Sequence, residues 1–277
     1  MGRLQLVATP IGNLEDITLR ALRVLREASL VLAEDTRHTR ALLTYHGIDA
    51  RPRSLHAHNE AARIERVLET LDAGGEVALV SDAGTPLVSD PGERLLAAVI
   101  EAGHEVSPIP GASAVLAGIA IAGLPLTNGF TFVGFLPRKG GARAARLEAL
   151  VDHRETLVFF ESPRRTGATL ALLAEHLGGE RRACVARELT KVHEEAVRGT
   201  LAELAAQFAE GARGEVCLVV EGAPERVVEQ ATVDAAIQAE LQAGTSARDT
   251  ASAVAAAYSV RKSAVYSRVL ELMRTLR

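Results

Sequence analysis

The sequence predicts an α/β fold: two successive α/β domains over residues 1–124 and 125–222, and a small C-terminal helical domain over 232–277. Three observations carry this. Short apolar runs such as LQLV, EVAL and EVCLVV alternate with amphipathic stretches of helical period, the pattern of strands covered by helices. Loops rich in Gly, Pro, Asp and Ser follow several of those runs, where open α/β sheets place their ligands. The segment LPLTNGF, Leu124 to Phe130, sets Pro and Gly between two such alternations and marks a boundary.

Composition narrows the function classes. With 277 residues, 48% of them hydrophobic, the chain can fill two cores. Aromatics make up only 3% and Trp is absent, which argues against rows of base-stacking rings. The net charge of −4 gives no global basic field for nucleic acid, so any RNA contact must come from local patches. Cys184 and Cys217 lie inside apolar runs and read as buried thiols of a reducing compartment. The opening MGRLQLVATPIG lacks the apolar region of a signal peptide, and no run approaches the length of a membrane span. A cytoplasmic protein with no membrane partner is expected.

In order, Leu4 to Ala8 reads as the first strand. Thr9-Pro10-Ile11-Gly12-Asn13 breaks it, and Asp16 or Thr18 caps the helix LRALRVLREA. This loop is not G-x-G-x-x-G, so the dinucleotide fingerprint fails. SLVLAED is the second strand, with Glu34, Asp35, Arg37, His38 and Arg40 crowded at its end, either to orient a substrate or to pair with one another. Asn59 suits the cap of a helix running to Asp72 and closed by Gly74. His56-x-His58 has metal-ligand spacing but no third ligand nearby, so no metal is expected.

Val80 to Gly92, VSDAGTPLVSDPG, is the stretch around which the chain is organised. It links a buried strand, EVAL, to a helix ending at Gly103. It holds Asp82 and Asp90, two Gly, two Pro and two Ser, and no Lys or Arg. A plain turn needs about 2–6 residues; this loop is longer and acidic, suited to accept hydrogen bonds from an amine or a ribose hydroxyl. A structural turn with a Pro-led helix start is the alternative. Pro110-Gly111-Ala112-Ser113 then opens an apolar helix whose first N–H groups favour a carboxylate or hydroxyl ligand.

The second domain alternates again: FTFVGF, a helix, ETLVFFES, a helix, RRACVAREL, EEAVRGT, a helix, and EVCLVVEG. Its loop LPRKGGARAAR carries Arg138, Lys139, Arg143 and Arg146 with no acid, either a solvated face or a phosphate-contacting lid. Residues 222–231 read as a linker. The tail reads as helices Val233–Ala243, Ala247–Tyr258 and Arg261–Leu276, the last two separated by Ser259-Val260. That short turn resembles a helix-turn-helix, with Arg261, Lys262 and Arg268 on its final helix. A helical dimerisation module is equally consistent.

Taken in order, LVATPIGNLEDITLRAL, AEDTRHTRALL, LHAHNE, VSDAGTPLVSDPG, PIPGASAVLAG, GFLPRKG, FFESPRR, ARELTKVHEE and GEVCLVVEG resemble the small-subunit ribosomal RNA methyltransferases of the tetrapyrrole-methylase-like superfamily. The match spans about Leu4 to Gly222, and the tail is similar to that family's C-terminal helical domain. The resemblance implies two α/β domains of the tetrapyrrole-methylase type with a cofactor cleft between them. It implies S-adenosylmethionine-dependent methylation of a cytidine ribose 2′-hydroxyl in the decoding centre of 16S rRNA, with the 30S ribosomal subunit as partner and a homodimer as the assembly. By the same resemblance Pro10, Asp82, Thr85, Ser113 and Ala114 hold the donor, joined by Phe160 and Leu189. Asp82 matches the superfamily's Gly-Asp-Pro aspartate, although here it stands between Ser81 and Ala83. Asp35, His38 and Glu161 are the candidates for a base that takes the hydroxyl proton. Arg138, Lys139, Arg143, Arg261, Lys262 and Arg268 are the expected RNA contacts. A methylase of a small tetrapyrrole-like substrate shares the fold, and a non-catalytic ribosome-binding protein is a third reading.

Overall fold

The structure is a computed structural model that describes residues 2–56, 59–225, 229–258 and 260–275. His58, Arg226 to Val228 of the linker, and Ser259 lie outside the described residues. The chain divides into two compact units, Met1–Ala223 and Pro224–Arg277.

The first unit contains two five-stranded sheets. The first is built from β1 (Arg3–Val7), β2 (Leu30–Ala33), β3 (Arg53–Ser54), β4 (Glu76–Val80) and β5 (Glu105–Ile109) in the order β3-β2-β4-β1-β5. Every pairing is parallel. Parallel strands need crossovers, and α1 (Leu19–Glu27), α2 (Thr36–Tyr45), α3 (Glu60–Asp72) and α4 (Glu93–Glu101) supply them. The central strands read as apolar runs because both faces are covered: Leu4, Val7, Val77 and Ala78 are fully buried. Pro108 sits in β5, opposite Leu6. Because β5 is an edge strand, its missing N–H costs no ladder bond.

Thr18 caps α1, accepting the Ala21 N–H at 3.1 Å, while Asn13 caps a short 3₁₀ turn over Leu14–Asp16. Asp16, the other cap considered, lies inside that turn. Asn59 occupies the N-cap position of α3, but its side chain turns away from the helix. It accepts the His56 N–H at 2.8 Å and donates to Ser54, so it fixes the loop rather than the helix end.

The second sheet takes β6 (Phe130–Phe135), β7 (Thr156–Glu161), β8 (Arg182–Arg187), β9 (Glu195–Thr200) and β10 (Val216–Val220) in the order β6-β7-β10-β8-β9. Here only β6 and β7 run parallel; β10 is antiparallel to both neighbours, and β8 and β9 form a hairpin. Helices α6 (Gly141–Glu148), α7 (Thr166–Leu177) and α8 (Leu201–Gln207) cover one face, around a core that includes Leu157, Phe159, Leu170 and Leu218.

The other face of this sheet receives α5 (Ala114–Ala122), the helix that follows β5 of the first sheet. Val115 and Ile119 pack with Val158, Cys184, Cys217 and Val219 into one buried cluster. A Cβ on Gly118 would lie 2.8 Å from the Cys217 Sγ, so only a glycine lets α5 come this close. Arg198 of β9 closes the far end, donating to the carbonyls of Ile121 and Ala122 that the helix terminus leaves without partners. The two sheets therefore share a core.

The second unit is a bundle of α9 (Gln230–Gln242), α10 (Ala247–Tyr258) and α11 (Lys262–Thr275), closed around Val233, Ile237, Ala251, Val254, Val265 and Val269. Arg268, expected at an RNA surface, donates to both carboxylate oxygens of Asp234 at 2.9 and 2.7 Å and to Glu271 at 2.7 Å. The guanidinium lowers the Asp234 carboxyl to about 2. Its charge is thus matched inside the bundle, whereas Arg261 and Lys262 are exposed.

Candidate functional site

The loop after β1 and the loop after β4 are tied together before either meets a ligand. Thr9 and Gly84 exchange backbone hydrogen bonds at 2.9 and 3.0 Å, Thr9 Oγ1 donates to the Ser81 carbonyl at 3.1 Å, and Ser81 Oγ donates to the Gly84 carbonyl at 2.9 Å. Thr85 Oγ1 reaches the Ala112 carbonyl at 3.5 Å, and Ser113 caps α5 by accepting the Leu116 N–H at 3.4 Å. Pro10 is buried between these loops. Leu87 and Ser89 hold φ angles of 73° and 71°, a left-handed conformation costly for residues with a Cβ. Such strain persists only where the surrounding bonds enforce it, and it concentrates at ligand loops.

The acidic residues gather at one rim. Asp82 Oδ1 accepts the Asp35 N–H at 2.8 Å and its Oδ2 lies 3.6 Å from His38 Nδ1. Asp35 in turn caps α2 and is gripped by Arg37, whose hydrogen bonds hold its carboxyl well below the usual range. Burial pushes Asp90 up to about 6, with the charges of Glu34 and Asp82 adding to the shift. Burial, then Asp82, raises Glu34. Asp90 and Glu34 were noted in their loops but were given no role in holding the donor or in catalysis. Two Asp in a cation-free loop were the available signal, but the perturbation comes first from burial and then from Glu34, which arrives from the end of β2.

The opposing wall comes from the second sheet. Phe160 stands edge-to-face against Phe132 and Phe135, with ring centroids 4.9 and 5.8 Å apart. Glu161 is buried and fully engaged: it accepts the Ser162 N–H at 2.7 Å and the Thr169 hydroxyl at 2.6 Å, and lies 3.3 Å from Arg165. The loop after β8 presses on the loop after β1. A Cβ on Gly12 would fall 2.7 Å from the Leu189 carbonyl oxygen, so a side chain there would force the two loops apart.

Between these walls lies a cavity of about 370 Å³. Ile11, Ala83 and Ala114 line it from the first sheet's loops; Phe135, Phe160, Glu161, Leu189 and Cys217 line it from the second. Burial pushes the Cys217 thiol up to about 12. Of the expected donor residues, Ala114, Phe160 and Leu189 line the cavity directly. Pro10 and Asp82 each precede a lining residue in the chain, Ser113 caps the helix that Ala114 opens, and Thr85 holds the loop beside it. The lining residues Ile11, Phe135 and Val216 are apolar and entered the sequence reading only inside longer motifs, as did Glu215, which pairs with Lys191 at 2.9 Å. Among the described residues no group of three or more His, Cys, Asp or Glu could hold a metal ion, and no helix is long and apolar enough to cross a membrane.

Of the expected RNA contacts, Arg138 and Lys139 are exposed between β6 and α6, just after the cavity residue Phe135. Arg143 folds back to donate to the Arg138 carbonyl at 2.8 Å.

Comparison with known proteins places this geometry. Residues 3–205 match the family model of tetrapyrrole (corrin/porphyrin) methylases. A ribosomal RNA small subunit methyltransferase I from Mesorhizobium japonicum is 50% identical over 233 residues, 83% of this chain and 79% of that protein. One of the same name from Xylella fastidiosa is 47% identical over 234 residues, covering 83% and 85%. Among solved structures, a uroporphyrin-III C-methyltransferase from Thermus thermophilus complexed with S-adenosylhomocysteine superposes with a TM-score of 0.54 at 26% identity, covering 79% of this chain and 97% of that one.

Proposed function

The chain belongs to the tetrapyrrole (corrin/porphyrin) methylase family, in its ribosomal RNA small subunit methyltransferase I branch, and from that premise we propose that it methylates the ribose 2′-hydroxyl of a decoding-centre cytidine in 16S rRNA. The methyl donor is S-adenosylmethionine, which supplies a sulfonium methyl already activated for attack. The observation that carries the reading is the cavity where strand-end loops of both sheets converge.

The residues present fit such a donor. Phe160 and Leu189 offer an apolar wall for a flat base, and 370 Å³ lies within the range of small-molecule sites. The N-terminus of α5 and the acidic rim at Asp82 suit a ligand that carries a carboxylate, an ammonium and ribose hydroxyls. The chain's main task is to hold donor and hydroxyl in line. A base that takes the hydroxyl proton assists. Asp35 is weakened for that role by Arg37, and Glu161 has its oxygens committed to Thr169, Ser162 and Arg165. His38, exposed and oriented by Asp82 at 3.6 Å, is the remaining candidate and the one we assign.

A polymeric acceptor is favoured over a small tetrapyrrole by the basic loop beside the cavity, where Arg138 and Lys139 stand exposed three and four positions beyond Phe135. Arg261 and Lys262 of the helical tail are a second proposed contact. The enzyme is taken to act as a cytoplasmic homodimer, which sedimentation of the full chain checks. The deciding experiment is transfer of tritiated methyl from S-adenosylmethionine to purified 30S subunits, with the product nucleoside identified by mass. Reversing Arg138, Lys139 and Arg143 to Glu should weaken RNA binding and flatten its salt dependence while sparing donor affinity. Absence of transfer to 30S subunits, or methyl on a base rather than a ribose, would overturn the reading.

A further inference from the structure

A second basic feature lies away from the cleft, assembled from residues that never form a run. Arg26 stands near the end of α1, Arg51 and Arg53 bring the chain into β3, and Arg63 and Arg66 project from α3. With Asp49 they line one cavity of about 590 Å³ beside the start of β2. Four of the five arginines are exposed and Arg63 is half-buried. Arg66 pairs with Glu69 at 2.9 Å, and Arg63 Nε donates to the Ser54 carbonyl at 3.2 Å. Arg26 Nη2 reaches the His46 carbonyl at 3.5 Å, a weak contact. No ion pair among the described residues engages Arg26, Arg51, Arg53 or Arg63.

Five guanidiniums around one concavity, with Asp49 as the one acidic residue in its lining and Glu69 paired to Arg66, repel one another. In a chain whose net charge is −4, that concentration of positive charge is a local departure from the whole. It suits an anion that several planar forks can grip at once, which is the chemistry of phosphate. No aromatic residue lines the cavity to stack a base, and the guanidiniums come from three elements around an open mouth. That favours successive phosphates of a strand over one enclosed metabolite.

The position is equally informative. β3 and β5 are the two edges of the first sheet, and α5, which follows β5, packs on the second sheet beside the methyl-transfer cavity. Four strand spacings, about 19 Å, separate those edges. The cavity also borders the beginnings of β2 and β3, whereas the cleft loops follow strand ends.

We infer that this arginine cavity binds phosphates of the substrate RNA backbone at a distance from the methylated nucleotide. The site makes recognition depend on a folded RNA broad enough to reach both places, and it does not read sequence. This rests on the RNA reading of the cleft.

The test compares wild type with the double variant Arg51→Glu/Arg53→Glu and the milder Arg51→Gln/Arg53→Gln. The probes are 16S rRNA transcribed in vitro, for filter binding between 50 and 200 mM KCl, and 30S subunits for methyl transfer. Donor calorimetry on each variant establishes that it is folded. The Glu pair should weaken RNA binding about tenfold at low salt, and either pair should reduce the slope of log K against log salt by roughly 1.5. KM for 30S subunits should rise, with kcat at saturating subunit and donor affinity both unchanged. Wild-type affinity and slope in both variants, alongside normal methyl transfer by the wild type, would overturn the inference and leave the cleft reading intact. If the wild type transfers no methyl to 30S subunits yet binds RNA with an arginine-dependent slope, the cleft reading falls and the phosphate site stands.

Discussion

The two walls of the cleft are built on opposite principles. On the first-sheet side, position is set by polar groups that hold one another: Asp82 fixes the start of α2, Arg37 holds Asp35, and Ser81 and Thr9 lock the neighbouring loops. On the second-sheet side, position is set by packing: Phe160 rests on Phe132 and Phe135, and Cys217 is close-packed against α5. A polar wall responds to pH and salt, whereas an apolar wall responds to shape. Substitutions on the two sides should therefore leave different signatures even when they lower the same activity.

The largest separation is expected at Asp82. Asp82→Ala removes the acceptor of the Asp35 N–H and the carboxylate that faces His38. With Asp82 assigned to the donor, one hydrogen bond from the donor to this carboxylate contributes about 1.5–3 kcal/mol, so donor affinity should fall about ten- to a hundredfold. The fold should stay intact, because Asp82 contributes almost nothing to the core, and the lost bond from the Asp35 N–H should lower the melting temperature by only a few degrees. Asp90, pushed up to about 6 partly by the Asp82 charge, titrates in this range, so calorimetry at pH 5.5 and 8 would show the defect varying with pH. Wild-type affinity in a folded variant would remove Asp82 from the polar wall's function.

Phe160→Ala tests the other side. It strips an aromatic that contacts two rings and lines the cavity, and should weaken donor binding about tenfold. Because the ring is only half-buried, a stability loss of about 2 kcal/mol is expected, a few degrees in melting temperature. The affinity defect should be the same at pH 5.5 and 8. A pH-dependent defect here would break the distinction between the walls.

Asp90→Asn sharpens the polar side through stability. The folded carboxyl sits at about 6, above the unfolded value of about 3.9, so the folded state binds this proton more tightly. The contribution is fully present below pH 4, is lost as pH rises through about 6, and is flat above. Asp90 is partly exposed, and screening reduces the effect to about 1 kcal/mol. The amide cannot ionise, so Asp90→Asn should raise the melting temperature by about 2–4 °C at pH 7.5 and leave it unchanged at pH 4. A variant no more stable than wild type at pH 7.5 would mean that Asp90 is not under electrostatic pressure.

The polar wall was the more legible of the two in the sequence. Val80–Gly92 announces itself because Asp, Gly and Pro interrupt an apolar pattern, and Thr18 and Ser113 precede their helices as caps should. Apolar cavity residues give no such notice: Phe135 and Val216 read only as strand. Strand direction was equally silent, since the buried run VCLVV of β10 reads the same whether it pairs parallel or antiparallel. Helix α2 was hidden by its charges, Asp35, Arg37, His38 and Arg40, which suggested a site before they suggested a capped helix. The arginine cavity escaped because its members are spread from Arg26 to Arg66 and converge only through the α1–β2–β3–α3 fold.

The smallest effect is expected at Cys217, where the claim is that nothing ionises. The thiol lies in the apolar wall, buried, with Cys184 near enough to oppose a second negative charge. At a value of about 12, the thiolate that alkylating reagents require is a very small fraction at pH 8.5. Iodoacetamide at that pH should leave Cys217 unmodified, by peptide mass, over a period that consumes glutathione completely. Cys217→Ala removes a sulfur that packs against α5, a loss of about 1 kcal/mol, and should keep methyl transfer within about twofold of wild type. Alkylation with a midpoint below pH 9 would show water and charge reaching this wall. The second-sheet side would then be a polar surface like its counterpart, and the different signatures expected at Asp82 and Phe160 would lose their physical basis.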